Sequence, residues 1–441
     1  MHSDGKAGRR MIVALLACFS LVSFVLRMNI SIASKLMMPE FGLTQIQMGQ
    51  VFGIFMLGYA LFQIPAGILG DRWGPRRVLA VAALWWGITT MLTALIPGTL
   101  VRSSLGAFVA LFATRFVLGV GESATYPVAT RAIANWVPAS GRALSNAIVI
   151  AGATIGSALT PPLIAWLMIH YGWRTSFYVT GFIAFILALV WWTSSSDSPA
   201  HRKARKDGEP GLMLEATKCA SSVIAARARW KAIYRNRNLW ILSISYMCDS
   251  YVLFIFVFWL YTYLTDVRGF SLLHGGLFAS LPFSVATIMT PIGGHLCDRL
   301  CVRFGPRRGR RITPVGCLLL SGFFLFWGAK AHNPYVAIAV LSLSVGFIES
   351  TEGAYWLTVT DIGQDNTGGA GGVMNMFGNF GGAISTALVP VLVSHFGWLF
   401  ALGSGTALAM VGALLWFWVH TERDDSADPL GTTVLATNLP S

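Results

Sequence analysis

Apolar stretches of about 20 residues recur along the whole chain, and they constrain its fold more than any other feature. A helix of that length crosses the roughly 30 Å hydrocarbon layer of a membrane, and a chain inside lipid must satisfy its backbone hydrogen bonds internally. Only 12% of the 441 residues are charged and 55% are hydrophobic, which leaves too few polar side chains to cover a soluble protein. The sequence therefore predicts an all-α integral membrane protein.

Twelve of these stretches are predicted to be membrane-spanning helices. The only long hydrophilic interruption, residues 194–238, separates six spans from six. We expect an N-terminal segment at 1–10, six-helix bundles at 11–193 and 239–420, a partly helical central loop between them, and a disordered tail at 421–441. The predicted spans cover residues 11–33, 48–69, 78–97, 105–130, 143–169, 175–193, 239–264, 273–296, 313–330, 335–360, 369–394 and 398–419.

The basic residues are distributed unevenly around these spans. The net charge is +13, but 25 of the 32 Lys and Arg residues fall on one side of the predicted membrane and 5 on the other. An excess of Lys and Arg marks the cytoplasmic side, so both termini and the central loop are expected in the cytoplasm. A bacterial inner membrane is the favoured setting. The positive charge thus indicates membrane topology, and nucleic acid is not expected as a partner.

Two segments half a chain apart are nearly copies of each other. Residues Gly67–Arg77 read GILGDRWGPRR, and Gly294–Arg308 keep the Gly-x-x-x-Asp-Arg opening and the Gly-Pro-Arg-Arg ending. The motif His170-Tyr171-Gly172-Trp173 also returns as His395-Phe396-Gly397-Trp398. A parallel repeat in a membrane chain is typical of secondary transporters. We therefore expect two pseudo-symmetric bundles.

The repeated loop is a candidate for a conformational latch. Asp71 is expected to face the N-terminus of a neighbouring helix, where the helix dipole favours an anion, and the arginines are expected to bridge to acids on other helices. Simple anchoring of basic residues at the cytoplasmic face is the alternative. The candidate latch residues are Gly67, Asp71, Arg72, Gly74, Arg76, Arg77, Asp298 and Arg299.

Few ionisable residues lie deep inside the spans, and the cost of burying a charge there makes each a functional candidate. Arg115 and Glu122, seven residues apart in the fourth span, share a helix face. Arginine offers a fixed fork of donors that matches a carboxylate. Burial and a nearby cation act in opposite directions on a carboxyl, so Glu122 is a candidate for proton exchange. A purely structural ion pair is the alternative. Arg27, deep in the first span, is a further candidate for binding an anion.

Carboxylates are the expected proton carriers, because all eight histidines fall in loops, in tails or near span ends. Asp249 lies in the seventh span, and Glu349 and Glu352 lie in the tenth. The sequence Gly346-Phe347-Ile348-Glu349-Ser350 echoes Gly119-Val120-Gly121-Glu122-Ser123. A second proton site is one interpretation, and internally hydrogen-bonded acids are the other.

Five uncharged side chains complete the candidate substrate site. Tyr59 and Gln63 lie four residues apart in the second span, as do Asn375 and Asn379 in the eleventh. Trp356 shares a predicted stripe with Glu349 and Glu352. Amides can bind substrate hydroxyls, although contacts between helices explain the same residues. No cofactor or metal site is expected.

With these features the chain resembles the major facilitator superfamily over residues 10–420. The loop after the second span is similar to the signature of that superfamily. Three motifs resemble the anion:cation symporter family, which includes proton-coupled sugar-acid permeases, such as those for hexuronates, and vesicular or lysosomal organic-anion carriers. These motifs are Leu26-Arg27-x-Asn29-Ile30-Ser31, Arg115-Phe116-x-x-Gly119-x-Gly121-Glu122-x-x-x-x-Pro127 and Gly172-Trp173-Arg174.

The resemblance implies a central cavity, alternating access and proton-coupled movement of a carboxylate. It assigns Arg27 and Arg115 to the anion and Glu122 to the proton, with Tyr59, Gln63 and Asn379 as weaker matches. Sugar-acid permeases commonly have an aspartate at the position of Leu26, so the number of protons stays open. The expected partners are a small organic anion, protons and the lipid bilayer, with the chain as a monomer.

Other functions remain open at this point. They are another carrier of the same superfamily, such as a drug/proton antiporter or a vesicular-type anion carrier, and a transporter-like receptor that does not move solute. An enzyme is not expected, because the sequence offers no cluster of a nucleophile, a metal ligand or a His/Asp pair.

Overall fold

The computed structural model describes residues 2–95, 101, 103–197, 235–363 and 367–420. Within these ranges the chain forms fourteen α-helices and one closing 3-10 turn, Trp416–Trp418. The helices are α1 (His2–Phe41), α2 (Gln45–Trp73), α3 (Pro75–Leu95), α4 (Ser104–Glu122), α5 (Thr125–Trp136), α6 (Ala139–Tyr171), α7 (Trp173–Ser194), α8 (Arg237–Asp266), α9 (Leu272–Ala279), α10 (Leu281–Phe304), α11 (Pro306–Lys330), α12 (Pro334–Glu349), α13 (Glu352–Gly363) and α14 (Thr367–Leu415).

Eleven stretches of helix in the described residues are long and apolar enough to cross a membrane. The helix pairs α4–α5, α9–α10 and α12–α13 each form one stretch, and the last stretch, Thr367–Trp418, contains 52 residues. At 1.5 Å per residue it is about twice as long as a membrane span requires. Gly397, with φ 79°, breaks it between the residues predicted as the eleventh and twelfth spans. The predicted all-α membrane architecture is confirmed.

Along the sequence, the N-terminal half ends and the C-terminal half begins near the predicted boundary. Helix α7 ends at Ser194, and α8 begins at Arg237. Most of the predicted central loop and all of the predicted tail lie outside the described residues. The helical part of the loop, the disorder of the tail and the domain limits therefore stay predictions.

Polar side chains mark where several helices begin. The Thr44 side chain accepts a hydrogen bond from the backbone of Gln47, whose own side chain accepts one from the Thr44 backbone N–H, which is a complete capping box before α2. Ser103 caps α4, Asn236 caps α8 and Asn333 caps α12 in the simpler one-sided way.

The duplication predicted from the sequence is visible in the backbone. The glycines with positive φ form three pairs between the halves: 64° at Gly42 and 71° at Gly269, 82° at Gly74 and 83° at Gly305, and 83° at Gly172 and 79° at Gly397. The echoed motifs of the fourth and tenth spans also break in the same place, because α4 ends at Glu122 and α12 ends at Glu349. The two halves are therefore built on one plan.

The contacts between the halves concentrate at one end of the bundle, where α1 ends and α2 begins, which we call the α1–α2 end. Helix α2 packs on α14, α6 packs on α9 and α10, and α1 packs on α8. The Phe52 ring stacks on Phe258 with centroids 5.0 Å apart, and Lys35 pairs with Asp266. These residues lie in the parts of their helices nearest that end, so the halves are closed against each other there.

Candidate functional site

An ion pair between Arg27 and Glu122 lies at the centre of the N-terminal half. Arg27 Nη2 is 3.2 Å from Glu122 Oε2, and the two side chains are 3% and 0% exposed. The Ser23 hydroxyl donates a second hydrogen bond to the same oxygen at 3.0 Å. The other oxygen, Oε1, and Arg27 Nε have no hydrogen-bond partner in the protein. The pair is thus fully buried and only partly satisfied.

Arg115 lies beside this pair, and no carboxylate forms a salt bridge with it in the described residues. Its side chain is 1% exposed. Nη1 donates to the backbone carbonyl of Leu26 at 3.4 Å, whereas Nε and Nη2 have no hydrogen-bond partner. Burying an ion costs several kcal/mol. A guanidinium with two unused donors at this depth is therefore suited to receiving an anion.

The ion pair between Arg115 and Glu122 that was the alternative interpretation of their shared face is absent from this structure, in which Arg27 pairs with Glu122. Residues seven apart share a helix face, but they are about 10 Å apart along the axis. Helix α1 packs across α4 and brings Arg27 closer to the carboxylate. Periodicity within one helix predicted the face correctly and could not predict the partner.

Aromatic rings complete the surroundings of Arg27. Its guanidinium carbon lies 4.7 Å from the centroid of the Tyr59 ring and 5.2 Å from that of Phe55. Helix α2 can come this close because a Cβ at Gly119 would lie only 2.2 Å from the Phe55 carbonyl oxygen. Buried cation–π contacts of this kind contribute about 1–2 kcal/mol each. Gln63, one turn beyond Tyr59, is also buried, and its Oε1 has no hydrogen-bond partner.

The candidate carboxylates of the C-terminal half form a second cluster. Glu352 accepts hydrogen bonds from Tyr246 at 3.0 Å and from Trp356 at 2.8 Å. Asp249 accepts one from Thr351 at 2.9 Å, and Glu349 interacts electrostatically with Glu352 and Asp249. Within the described chain no basic side chain forms a salt bridge with any of the three acids. The basic cluster of the N-terminal half thus has an acidic counterpart in the C-terminal half.

The tenth span differs from the predicted continuous helix. Ser350 and Thr351 form a turn between α12 and α13, so Glu349 and Glu352 lie on two separate helices. Trp356 reaches Glu352 from within α13. The fourth span, whose motif is repeated in the tenth, breaks at the equivalent point, after Glu122. The break in the tenth span is therefore consistent with the duplication.

The two candidate amides have different environments. Asn379 is buried, and its side chain donates to the backbone carbonyl of Asn375 at 2.7 Å, within its own helix. The Asn375 side chain is half-buried. The Asn379 amide therefore uses one N–H in a bond within its own helix, and Asn375 has the more accessible amide side chain.

Tyr126 links the clusters of the two halves. Its hydroxyl is hydrogen-bonded to Ser20 at 2.9 Å. Its ring belongs to the N-terminal half, yet it interacts electrostatically with Arg27 and Glu122 on one side and with Glu349 on the other. Tyr126 is therefore close to charged groups of both halves.

The loop predicted as a latch makes a tight turn at Gly74. The Arg76 backbone N–H donates to Asp197 Oδ1 at 2.8 Å, and its guanidinium donates to the Trp192 carbonyl at 2.7 Å. Asp71 pairs with Arg131 at 3.3 Å, with both side chains more than half exposed. Gly67 packs on Pro127.

The prediction that Asp71 faces a helix N-terminus is wrong, because Asp197 occupies that place at the start of α3. Asp71 lies at the end of α2, before the turn, and contacts α5. Arg72, Arg77, Asp298 and Arg299 are exposed. The partners identified for Asp71 and Arg76 belong to their own half, so a latch between the halves stays a prediction.

Sequence reasoning missed Ser23, Tyr126 and Asp197. Ser23 lies four residues before Arg27, on the same face of α1, and this spacing was the available signal. Tyr126 lies four residues after Glu122 in the same span.

No group of three or more His, Cys, Asp or Glu side chains in the described part of the chain could hold a metal ion.

Comparison with known sequences agrees with this architecture. Residues 15–386 match the model of the Major Facilitator Superfamily. The chain is 32% identical over 399 residues to a probable sulfoacetate transporter of Cupriavidus necator, with 88% of each chain covered. It is 26% identical over 404 residues to a hexuronate transporter of Bacillus subtilis, covering 90% of this chain and 92% of that one. A probable galactarate/D-glucarate transporter of the same species is 28% identical over 421 residues, covering 92% and 89%.

Solved structures show the same fold. A bacterial homologue of the human lysosomal transporter Spinster superposes with a TM-score of 0.75 at 16% identity, covering 93% of this chain and 97% of that one. A D-xylose–proton symporter superposes with a TM-score of 0.72 at 15% identity, covering 93% and 98%. The matches of sequence and fold agree with the duplicated helical architecture, and the chain is a membrane transporter that belongs to the Major Facilitator Superfamily.

Proposed function

We propose that this chain is a secondary active transporter that moves an organic anion together with a proton by alternating access. The observation that supports this most is the charge of the buried N-terminal cluster, in which two guanidinium groups lie near a single carboxylate that pairs with only one of them, Arg27. An anionic substrate supplies the missing negative charge. Its oxygen atoms also accept the hydrogen bonds that Arg115 Nε and Nη2 do not make within the protein.

Proton coupling follows from the Arg27–Glu122 pair. A proton on Glu122 removes the charge that holds Arg27, and an unpaired buried charge costs about 3–5 kcal/mol. A substrate carboxylate offsets that cost by binding Arg27 and Arg115 together. Loss of the proton restores the Arg27–Glu122 pair and releases the anion. One proton carried with one monoanion moves no net charge.

The direction of opening follows from the charge asymmetry of the loops. If the side richer in Lys and Arg is cytoplasmic, the closed α1–α2 end faces outward and the structure is inward-facing. The bacterial relatives favour the inner membrane of a bacterium. In that setting the acidic exterior loads Glu122, and the more alkaline cytoplasm unloads it.

The substrate class is an organic acid with a carboxylate or sulfonate group. The relatives are named for sulfoacetate, hexuronate and galactarate or glucarate, and these acids form the first panel to test. In the C-terminal half, Glu349, Glu352 and Asn375 offer hydrogen-bonding groups for the remainder of the substrate, and Trp356, whose N–H is already bonded to Glu352, offers its ring face.

The test is uptake of labelled acids by proteoliposomes under an imposed pH gradient, acidic outside. We expect Glu122→Gln to abolish pH-driven accumulation and to keep exchange of label between equal pools of the transported acid. Glu40→Gln is the control, because Glu40 accepts hydrogen bonds from Arg174 and Trp173 at the end of α1, away from the Arg27–Glu122 pair. This variant should retain accumulation.

Accumulation at the wild-type level in Glu122→Gln would remove Glu122 from the coupling mechanism. Binding of an acid without any exchange of label in the wild type would instead identify a receptor that does not move solute.

A further inference from the structure

Helix α1 carries a stripe of three buried polar side chains toward the fourth span. Ser20, Ser23 and Arg27 occupy positions i, i+3 and i+7 and so lie on one face. Ser20 bonds the Tyr126 hydroxyl at 2.9 Å, whereas Ser23 and Arg27 both bond Glu122. The two serines lie on one helix face, but Ser20 bonds an uncharged hydroxyl and Ser23 bonds a carboxylate.

Both hydrogen bonds to Glu122 fall on one oxygen atom. Ser23 Oγ and Arg27 Nη2 lie 3.0 Å and 3.2 Å from Oε2, and Oε1 has no hydrogen-bond partner in the protein. A hydroxyl that donates to a carboxylate stabilises its ionised form. Because Oε1 is free, a proton can bind Glu122 there without first displacing either donor.

We propose that Ser23 is a positioning residue that sets the pH at which Glu122 takes up and releases its proton. This inference rests on the proposed function, because it assigns a role within the same coupling site. Arg27 leaves Glu122 when the anion binds, so Ser23 is the remaining donor to Oε2 at the moment when the proton must leave. Its hydrogen bond stabilises the ionised carboxylate and so favours release of the proton.

Other charged and titratable groups also act on Glu122. They come from each neighbouring helix of the N-terminal half: Arg27 on α1, Tyr59 on α2, Arg115 on α4 and Tyr126 on α5. Arg27 and Arg115 contribute charge, whereas Ser23 contributes a hydrogen bond without a charge. Removing the Ser23 hydroxyl therefore changes proton binding at Glu122 and leaves the electrostatic attraction for the substrate in place.

The experiment measures the rate of proton-driven uptake of the transported acid against external pH. We expect Ser23→Ala to move the midpoint of this profile upward by about one pH unit, which corresponds to the loss of one hydrogen bond to a charged group. The maximal rate should fall as well, because release into the cytoplasm becomes slower. Ser23→Thr keeps the hydroxyl and should return the midpoint toward that of the wild type.

Ser20→Ala is the matched control, since it removes an equally buried hydroxyl from the same face of the same helix. We expect its midpoint to shift much less than that of Ser23→Ala, because Ser20 reaches Glu122 only through the uncharged Tyr126. Equal shifts in Ser20→Ala and Ser23→Ala would mean that both substitutions merely loosen α1, and would overturn the proposal. An unchanged midpoint in Ser23→Ala would overturn it too.

Two further measurements keep the inference separate from the proposed function. If Ser23→Ala does not fold, Ser23→Cys preserves the volume with a weaker donor and should shift the midpoint in the same direction; an unchanged midpoint there would overturn the inference. A wild type whose uptake ignores pH would overturn the proposed coupling as well as the inference. Proton-driven uptake that Glu122→Gln abolishes, combined with an unshifted Ser23 variant, would overturn the inference alone.

Discussion

At the scale of single residues, the two buried arginines are chemically alike but differ in their contacts. Arg27 is paired with Glu122 and surrounded by rings, whereas Arg115 makes one long hydrogen bond to a backbone carbonyl. Arg27 therefore changes partner during the proposed cycle, and Arg115 is ready for the anion throughout. The two side chains should respond differently to substitution.

The substitution Arg115→Lys tests that difference. It keeps the positive charge and loses the planar fork that donates two parallel hydrogen bonds to a carboxylate. We expect a 10- to 100-fold loss of uptake efficiency, which corresponds to about 1.5–3 kcal/mol for one hydrogen bond to a charged group, with normal amounts of folded protein. The measurement is the initial rate of uptake against substrate concentration.

Arg174→Lys serves as the control for this prediction, since Arg174 pairs with Glu40 near the α1–α2 end. Its uptake should stay within a few-fold of the wild type. A wild-type KM and maximal rate in Arg115→Lys would show that Arg115 does not bind the anion.

The sequence identified the buried charges of the site because a charge inside an apolar span is rare and expensive. It could not assign the partners, since these depend on how α1 crosses α4. Ser23 escaped notice because a serine in an apolar helix costs little and can bond its own backbone. A buried charge can be predicted from the sequence, whereas the role of a buried hydroxyl can be assigned only when its hydrogen-bond acceptor is known.

At the scale of helices and turns, the Gly74 turn depends on Asp197. The carboxylate lies over the start of α3, and a Cβ at Gly74 would lie 2.6 Å from Asp197 Oδ1. The turn has φ +82°, which disfavours any residue with a side chain. Its counterpart, Gly305, has φ +83°, but a Cβ there would meet no atom within 4 Å.

This pair of glycines allows a matched prediction. Gly305→Ala should lower stability by about 1 kcal/mol through backbone strain alone. Gly74→Ala should cost about 1 kcal/mol more, because it also displaces the carboxylate that caps α3. The midpoint of thermal unfolding in detergent, measured for both variants, provides the comparison. Equal losses of stability would contradict the role of Asp197.

The sequence predicted these turns through the duplicated Gly-Pro-Arg-Arg motif, and the structure has both. It assigned the wrong acid to the helix start, because Asp71 belongs to the motif and Asp197 lies outside it. A motif indicates where a turn occurs and does not indicate which distant residue completes it.

At the scale of the whole molecule, the halves are held together at the α1–α2 end. A Cβ at Gly49 would lie 2.5 Å from the Thr386 carbonyl and 2.7 Å from Pro390 Cγ, so α2 and α14 touch through their backbones. The Lys35–Asp266 pair lies at the same end, with side chains that are 31% and 25% exposed. An exposed pair of this kind contributes at most about 1 kcal/mol, so close packing is the larger contribution to closure.

Gly49→Ala is therefore expected to weaken closure at this end. The added methyl group has no space between the two backbones, so the population should shift away from the closed arrangement. Hydrogen exchange in the first turns of α2 and in residues 383–390 should become faster. Gly403→Ala is the control, because a Cβ there meets no atom within 4 Å. Unchanged protection in Gly49→Ala would show that this contact does not hold the halves together.

The duplication and the apolar spans predicted the overall architecture, because lipid allows few alternatives to helices. The closed end was not predictable, because it depends on close contacts between residues that are far apart in the sequence. The approach of Gly49 to the Thr386 carbonyl joins two helices from opposite halves of the chain, and no pattern within either helix indicates it.

In the proposed function, the two buried arginines select a negatively charged substrate. The most direct test compares, in the same proteoliposomes, uptake of an acid with uptake of a neutral counterpart of similar size, such as galacturonate with galactose, and extends to sulfoacetate and glucarate. We predict that at least one acid accumulates under an inward proton gradient and that the neutral counterpart does not. Equal uptake of acid and neutral sugar would show that the arginines do not select a negative charge.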